Sequence, residues 1–224
     1  MKNSLFAPPP LGTALLFTGL PGGSNQIQNR SSYGNSGIII GATWVRLSNG
    51  LWCLYFDGVD DRVDCGNHSS LHFIASAQMT IKAWVRLSQI DRHHVIVNKR
   101  GVNVGYWLRV EGAGGNINKL RFTRADWVDK LTGAKALAAN TWYQVGLAYD
   151  NNSGQLYLNG VPDGAAGSNM GFVNETAANL KIADASGWSW LKGNVALAEM
   201  HNRAWRTLEF QNSFNREKHL FGVW

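Results

Sequence analysis

The chain has 224 residues, 45% of them hydrophobic and 16% charged, which excludes a disordered or coiled-coil chain. Its 25 glycines against 5 prolines point to many tight turns, and its 10 tryptophans favour strands, interfaces and sugar platforms. The formal charge of +6 leaves acidic partners open but is modest for this length.

Residues 1–13 hold Pro8, Pro9 and Pro10 and read as an extended Pro-rich arm. The prolines interrupt an otherwise signal-like stretch, so no secretion signal is expected. No apolar run approaches the ~20 residues that span a bilayer, so no membrane partner is expected. From residue 14 to residue 224 the chain reads as one domain of short apolar runs broken by turns. Ala14–Leu20, Gly37–Val45, Leu51–Asp57 and Arg62–Cys65 are the first strands. In Met79–Leu87 the odd positions Ile81, Ala83, Val85 and Leu87 form a core face, and Lys82 and Arg86 look outward. Further strands fall at His94–Lys99, Tyr106–Val110, Lys119–Thr123, Trp142–Tyr149, Gln155–Leu158, Leu180–Ala183 and Asn194–Met200. Asp150–Gly154 reads as a hairpin loop and Asn159-Gly160 as a turn. Only the tail looks helical: Thr207 can cap a run in which Phe210 and Phe214 stack at i, i+4. The pattern predicts an all-β jelly-roll sandwich of two antiparallel sheets with a short C-terminal helix.

Cys53 and Cys65 flank a tight turn. If Phe56 opposes Arg62 the two thiols face each other and could bond. If Phe56 opposes Val63 they face opposite sides, and Leu54, Phe56, Val63 and Cys65 share one apolar face; this register is preferred.

Leu54-Tyr55-Phe56-Asp57-Gly58-Val59-Asp60-Asp61-Arg62-Val63 resembles the opening hairpin of laminin-G-like domains of the concanavalin-A superfamily. In order, Met79–Leu87, Asn140–Val145, Leu156–Gly160 and Gly193–Ala204 are similar to later strands of that family, and Asn29–Gly37 to its first loop. The resemblance covers residues 14–224. It implies two curved antiparallel sheets, with a concave side or loop rim that binds glycans or proteins. Many relatives bind calcium through loop carboxylates, and Asp57 with Asp60 or Asp61 could offer oxygens. Ala196-Leu197 stands where the family often carries an acidic pair, however, so no ligands are named and no cofactor is expected.

Glucanase relatives use two carboxylates across a cleft. The five glutamates, Glu111, Glu175, Glu199, Glu209 and Glu217, are isolated in sequence, which argues against catalysis. His93-His94 reads as a solvated turn pair, since adjacent strand residues point to opposite faces. Trp188 and Trp190 lie in a Gly/Ser-rich loop, and Arg124, Asp126 and Trp127 form a second cluster; these five are the candidate ligand contacts. Trp44, Trp84 and Trp142 are expected in the core. The basic residues Lys82, Arg86, Lys99, Arg100, Arg109, Lys119, Arg121 and Arg124 are spread over strands, so they read as solvated positions and not as a nucleic-acid patch.

The leading functional expectation is a non-enzymatic structural or adhesion protein on a virus particle surface, as a decoration or fibre component. Residues 1–13 and Phe221-Gly222-Val223-Trp224 would dock on capsid, tail or fibre subunits, with room for a surface glycan and for a homo-oligomer. The expected location is the virion or an extracellular surface. The alternative is a stand-alone carbohydrate-binding lectin-like module, and the third reading is a glycoside hydrolase.

Overall fold

The computed structural model describes residues 12–21, 25–31, 33–73, 78–101, 104–124, 128–168, 170, 177–185 and 189–224, without the side chains of Gln28, Arg124 and Asp129. In chain order the strands are β1 (Thr13–Pro21), β2 (Gln26–Asn29), β3 (Gly37–Ile40), β4 (Thr43–Arg46), β5 (Trp52–Asp57), β6 (Arg62–Asp64), β7 (Gln78–Leu87) and β8 (His94–Arg100). They continue as β9 (Gly105–Val110), β10 (Lys119–Arg124), β11 (Asp129–Ala136), β12 (Trp142–Asp150), β13 (Ser153–Leu158), β14 (Val161–Pro162), β15 (Lys181–Ile182) and β16 (Lys192–His201). Helix α1 (Thr207–Glu217) and a 3-10 turn (Lys218–Phe221) follow. Among the described residues no helix is long and apolar enough to cross a membrane.

The first sheet runs β4-β5-β16-β7-β12-β13-β14, and the second runs β11-β10-β9-β8-β15-β6-β3-β2-β1, all antiparallel. β1 belongs to both, pairing β16 through Thr13–Leu16 and β2 through Phe17 and Pro21. One apolar core lies between them, with Phe56, Ile81, Val85, Leu147 and Leu156 from the first sheet and Val63, Leu108, Leu120, Phe122 and Ile182 from the second.

The stretch read as one strand, Gly37–Val45, is two strands in different sheets. The chain turns the corner at Gly41, whose φ of +79° and whose closeness to Asp61 leave no room for a side chain there. Strands β5 and β6 are likewise not a hairpin. β5 pairs β16 and β4, and β6 pairs β15 and β3, so the Asp57–Asp61 turn carries the chain from sheet to sheet. Neither proposed cysteine register exists. Leu54, Phe56, Val63 and Cys65 still meet in one core, but from opposite sheets, while Cys53 packs on the other side of the first sheet against Trp84. Both thiols are free and buried, and burial pushes Cys53 up to about 11. Strands β2, β11 and β14 were not legible as apolar runs.

The hairpin turns behave as read: Asn151 and Asn152 both take positive φ between paired Asp150 and Ser153, and so do Asn159 and Gly160. At α1 the N-cap is Arg206, and Thr207 is the first helical residue. Glu209 reaches back to accept from the Arg206 backbone N–H at 2.9 Å. Phe210 and Phe214 do not stack on each other. They share the face turned to the sheet, Phe210 on Tyr157 at 3.9 Å and Phe214 on Trp84 at 5.7 Å.

The alternation in β7 is correct in parity, but Lys82 does not reach water. It is 0% exposed, because α1 lies over the outer face of the first sheet. Its ammonium donates to Glu199 Oε1 and to Glu217 Oε1 and Oε2, each at 2.8 Å, and to Ser213 Oγ at 3.2 Å. Trp84 Nε1 donates to Glu217 Oε2 at 2.7 Å, and His201 Nε2 sits 3.1 Å from Glu199 Oε2. Burial alone would lower the Lys82 pKa, but Glu199 and Glu217 outweigh it and raise it. Glu199 is held well below the usual carboxylate range: burial opposes the charge, and Lys82 and His201 overcome that opposition. Lys82→Ala leaves two buried carboxylates without their cation, so urea unfolding is expected to show a loss of ~3–5 kcal/mol.

Candidate functional site

The two outer faces of the sandwich differ. On the first sheet, Trp84 stacks on Phe221 at 4.2 Å, Trp142 lies 4.7 Å from Phe221, and Leu220 and Val223 pack beside them. The C-terminal residues expected to dock elsewhere thus close their own sheet, except Trp224, which is 92% exposed.

The outer face of the second sheet carries a polar array. Cross-strand pairing places Val95, Arg109 and Arg121 in one row and Asn98, Trp107 and Thr123 in the next. Trp107 is fully buried, with the Arg100 and Arg109 guanidinium carbons 5.2 and 5.1 Å from its ring centroid. Arg109 Nη1 and Arg121 Nη1 donate to Glu111 Oε2 at 2.9 and 3.0 Å, and His93 Nδ1 lies 2.9 Å from Glu111 Oε1. Burial works against the Glu111 charge, but Arg109 and His93 prevail and hold its pKa below the usual value. Asp184 is paired with Lys181 at 3.1 Å, and Asn98 donates to the Asp184 carbonyl at 3.0 Å.

These contacts correct the reading of the basic residues as solvated. Lys82, Lys99 and Arg109 are buried, and Lys99 donates to Asn67 Oδ1 and to the Ala178 carbonyl, both at 2.6 Å. The histidine pair is also not a solvated turn. His94 is fully buried, its Nδ1 accepting from the Lys192 backbone N–H at 3.2 Å.

Of the five predicted ligand contacts, Asp126, Trp127 and Trp188 lie outside the described residues. Arg124 ends β10, with its backbone paired to Tyr106. Trp190 is described and half-buried, bridged to Asp184 across its loop. That loop is tied to the His93 turn: Ser189 Oγ donates to the His93 carbonyl at 2.8 Å, and Arg92 Nη2 lies 3.5 Å from the Trp190 carbonyl. Trp190 therefore sits beside the Glu111 array. Of the expected core tryptophans, Trp84 is fully buried, while Trp44 and Trp142 are partly buried against the core clusters. Trp107 was missed because its arginine partners are two and seven residues away in sequence and on two strands.

The carboxylates of Asp57, Asp60 and Asp61 lie within 4.8 Å of one another. Asp57 Oδ1 accepts from Val59 N and Asp61 Oδ2 from Asp57 N, both at 2.7 Å, so the turn's own backbone donors engage two of the three carboxylates.

His94 sets a pH dependence for this region. Burial, with Arg92 and His93 nearby, lowers its pKa to about 4. The unfolded chain, near its ordinary value of about 6.5, takes up the proton first. Stability is thus full above about pH 6.5 and falls as pH drops towards about 4, by on the order of 3 kcal/mol. Urea midpoints measured across that window are expected to show the decline, and His94→Asn, which keeps an acceptor for Lys192 N–H, to flatten it.

No curated protein matches the chain. Among solved structures it is similar to Trypanosoma rangeli sialidase, with TM-score 0.71 and 14% identity, over 95% of this chain and 34% of that one. The binding domain of Paraclostridial Mosquitocidal Protein 1 matches with TM-score 0.69 and 14% identity, over 90% and 52%. Domain 4 of AbnA, a GH43 extracellular arabinanase from Geobacillus stearothermophilus in complex with arabinotriose, matches with TM-score 0.59 and 17% identity, over 77% and 81%. The chain thus spans about half of the mosquitocidal binding domain and a third of the sialidase. A family profile described as the concanavalin A-like lectin/glucanases superfamily matches residues 56–209. With two antiparallel sheets and a laminin-G-like profile over most of its length, this chain belongs to the concanavalin A-like lectin/glucanase superfamily.

Proposed function

We propose that the chain is a non-catalytic carbohydrate-recognition and adhesion module working through the outer face of the second sheet and its rim. The observation that carries this reading is the closure of the opposite face by α1, Phe221 and Val223, while on the second sheet the Trp107–Arg109 array is buried and the half-buried His93, Arg121 and Trp190 at its rim remain accessible. Its rim ties the Trp190 backbone to Arg92 and the neighbouring Ser189 to the His93 carbonyl, which brings a half-buried tryptophan to the same turn as the Glu111 ion pairs. The arabinanase domain solved with arabinotriose lends the same fold a bound sugar.

The absence of catalysis is part of the proposal. Each described glutamate is engaged in ion pairs: Glu111 with two arginines, Glu199 and Glu217 with Lys82, and Glu209 with Arg203 at 2.6 Å. A glycosidase needs one carboxyl kept protonated in an open cleft, and these environments favour the charged form at Glu111, Glu199 and Glu209.

In a narrower reading, as a surface component of a virus particle, the chain would use Trp224, an exposed indole beyond the docked Phe221, as a contact. A purified chain that stays monomeric and associates with no particle removes it.

On a glycan array the full chain is expected to bind at least one polysaccharide class. Trp190→Ala should weaken that binding by ~30-fold, the effect of truncating an aromatic anchor. Failure to bind any saccharide overturns the recognition reading, and release of reducing sugar from β-glucans overturns the non-catalytic one.

A further inference from the structure

The closure of the first sheet's outer face is incomplete. Outward positions on β12 are Gln144, Gly146, Ala148 and Asp150, paired with Trp84, Lys82, Thr80 and Gln78 on β7. Phe210 fills the space above Gly146, where a Cβ would come within 2.4 Å of its ring. Ala148 is buried under Phe210 and Trp205, and beyond it, towards exposed Asp150, the N-terminal end of α1 leaves the sheet open. An open groove of about 780 Å³ remains there between the β12–β13 hairpin and residues 203–209. That volume lies within the ~300–1,000 Å³ typical of ligand sites.

The groove is built on a fixed floor. The Trp205 backbone N–H donates to Thr80 Oγ1 at 2.8 Å, its ring meets Phe210 edge-on at 5.3 Å, and it lies 4.7 Å from His201. The indole is buried at 7% exposure, and among the described residues its Nε1–H finds no acceptor. The charges that line the groove are unequally engaged. Glu209 is held by Arg203 at 2.6 Å and by the Arg206 N–H at 2.9 Å, and Asp150 Oδ1 accepts from Gln78 at 3.0 Å. Arg206 is exposed, and among the described residues its guanidinium meets Glu209 only through the electrostatic attraction that helps hold the Glu209 pKa down. The least engaged charge in a groove of mixed polar lining is therefore positive.

We propose that this groove is a second saccharide subsite, selective for a sugar bearing a carboxylate, such as a uronic acid. The carboxylate pairs with Arg206, in the forked geometry that guanidinium offers, and the hydroxyls meet Asp150, Ser153 and Gln155. The proposal rests on the carbohydrate-recognition reading but places this contact on the face opposite Trp190.

The test is a ¹H–¹⁵N NMR titration of the full chain with D-glucuronate and, at matched pH and sodium chloride, with D-glucose. Glucuronate is expected to shift the amides of Arg206, Leu208 and Glu209 together with the Trp205 indole N–H. Glucose should bind there about fivefold more weakly, and Arg206→Gln should bring glucuronate down to the glucose level. Because the Arg206 bond to Glu209 uses the backbone N–H, this variant keeps the helix cap. Glucuronate that leaves these resonances unmoved, or that Arg206→Gln and glucose match in strength, overturns the subsite. If array binding sensitive to Trp190→Ala persists while the groove is silent, only the subsite falls; if no saccharide binds at all, both readings fall.

Discussion

The Lys82 ammonium, fully buried on the outer side of β7, draws together oxygens from β16 and from two turns of α1, and most of the molecule's asymmetry follows from it. A charge removed from water on one strand needs its counter-charges brought to it. Glu217 can reach it only if α1 lies across the sheet. Such a network adds little net stability relative to an apolar replacement, but it tolerates few arrangements of the helix. With α1 held there, Phe210, Phe214 and Phe221 fall on Tyr157, Trp84 and Trp142, and one face of the sandwich is closed. The groove beside Trp205 opens at the N-terminal end of that helix, which lines it with Leu208 and Glu209.

The second sheet solves a similar electrostatic problem differently. Glu111 gathers Arg109, Arg121 and His93, and the guanidinium of Arg109 also lies on Trp107. Here the charges tie neighbouring strands β9 and β10 to each other and to the His93 turn. The rim is thereby stiffened where Trp190 is anchored through Ser189. A recognition surface gains affinity from such pre-organisation, since less side-chain freedom is lost on binding.

The corners of the fold have their own logic. Between β3 and β4, and between β5 and β6, the chain leaves one sheet for the other, and Asp61 serves both crossings. It accepts from Asp57 N, and it lies so close to Gly41 that no side chain fits there. Burial raises the Asp61 pKa despite that donor, with the neighbouring Asp57 and Asp60 charges adding to the rise. The Phe-Asp-Gly-Val-Asp-Asp signature that resembles the family's opening hairpin is thus, in this chain, a sheet-to-sheet corner.

Alternating runs such as Ile81, Ala83, Val85 and Leu87 determined the all-β class, the core-facing residues and most strand positions by themselves, because a period of two is a local property of the backbone. Asn-Asn and Asn-Gly determined their hairpins for the same reason. The sequence also showed that one short helix ends the chain. Only the tertiary structure decided what each outward position meets. Lys82 and Arg109 read as solvated, since nothing local says that a helix 130 residues later, or a tryptophan two residues away and its neighbouring strand, will cover them. Strand β11, with Gly133 and two lysines in its eight residues, shows no apolar run and exists through its pairing with β10. Likewise the cysteine registers were posed within a single hairpin, whereas the chain crosses between sheets there. Pairing, coverage and charge compensation are long-range, and a linear pattern carries only the local half of each.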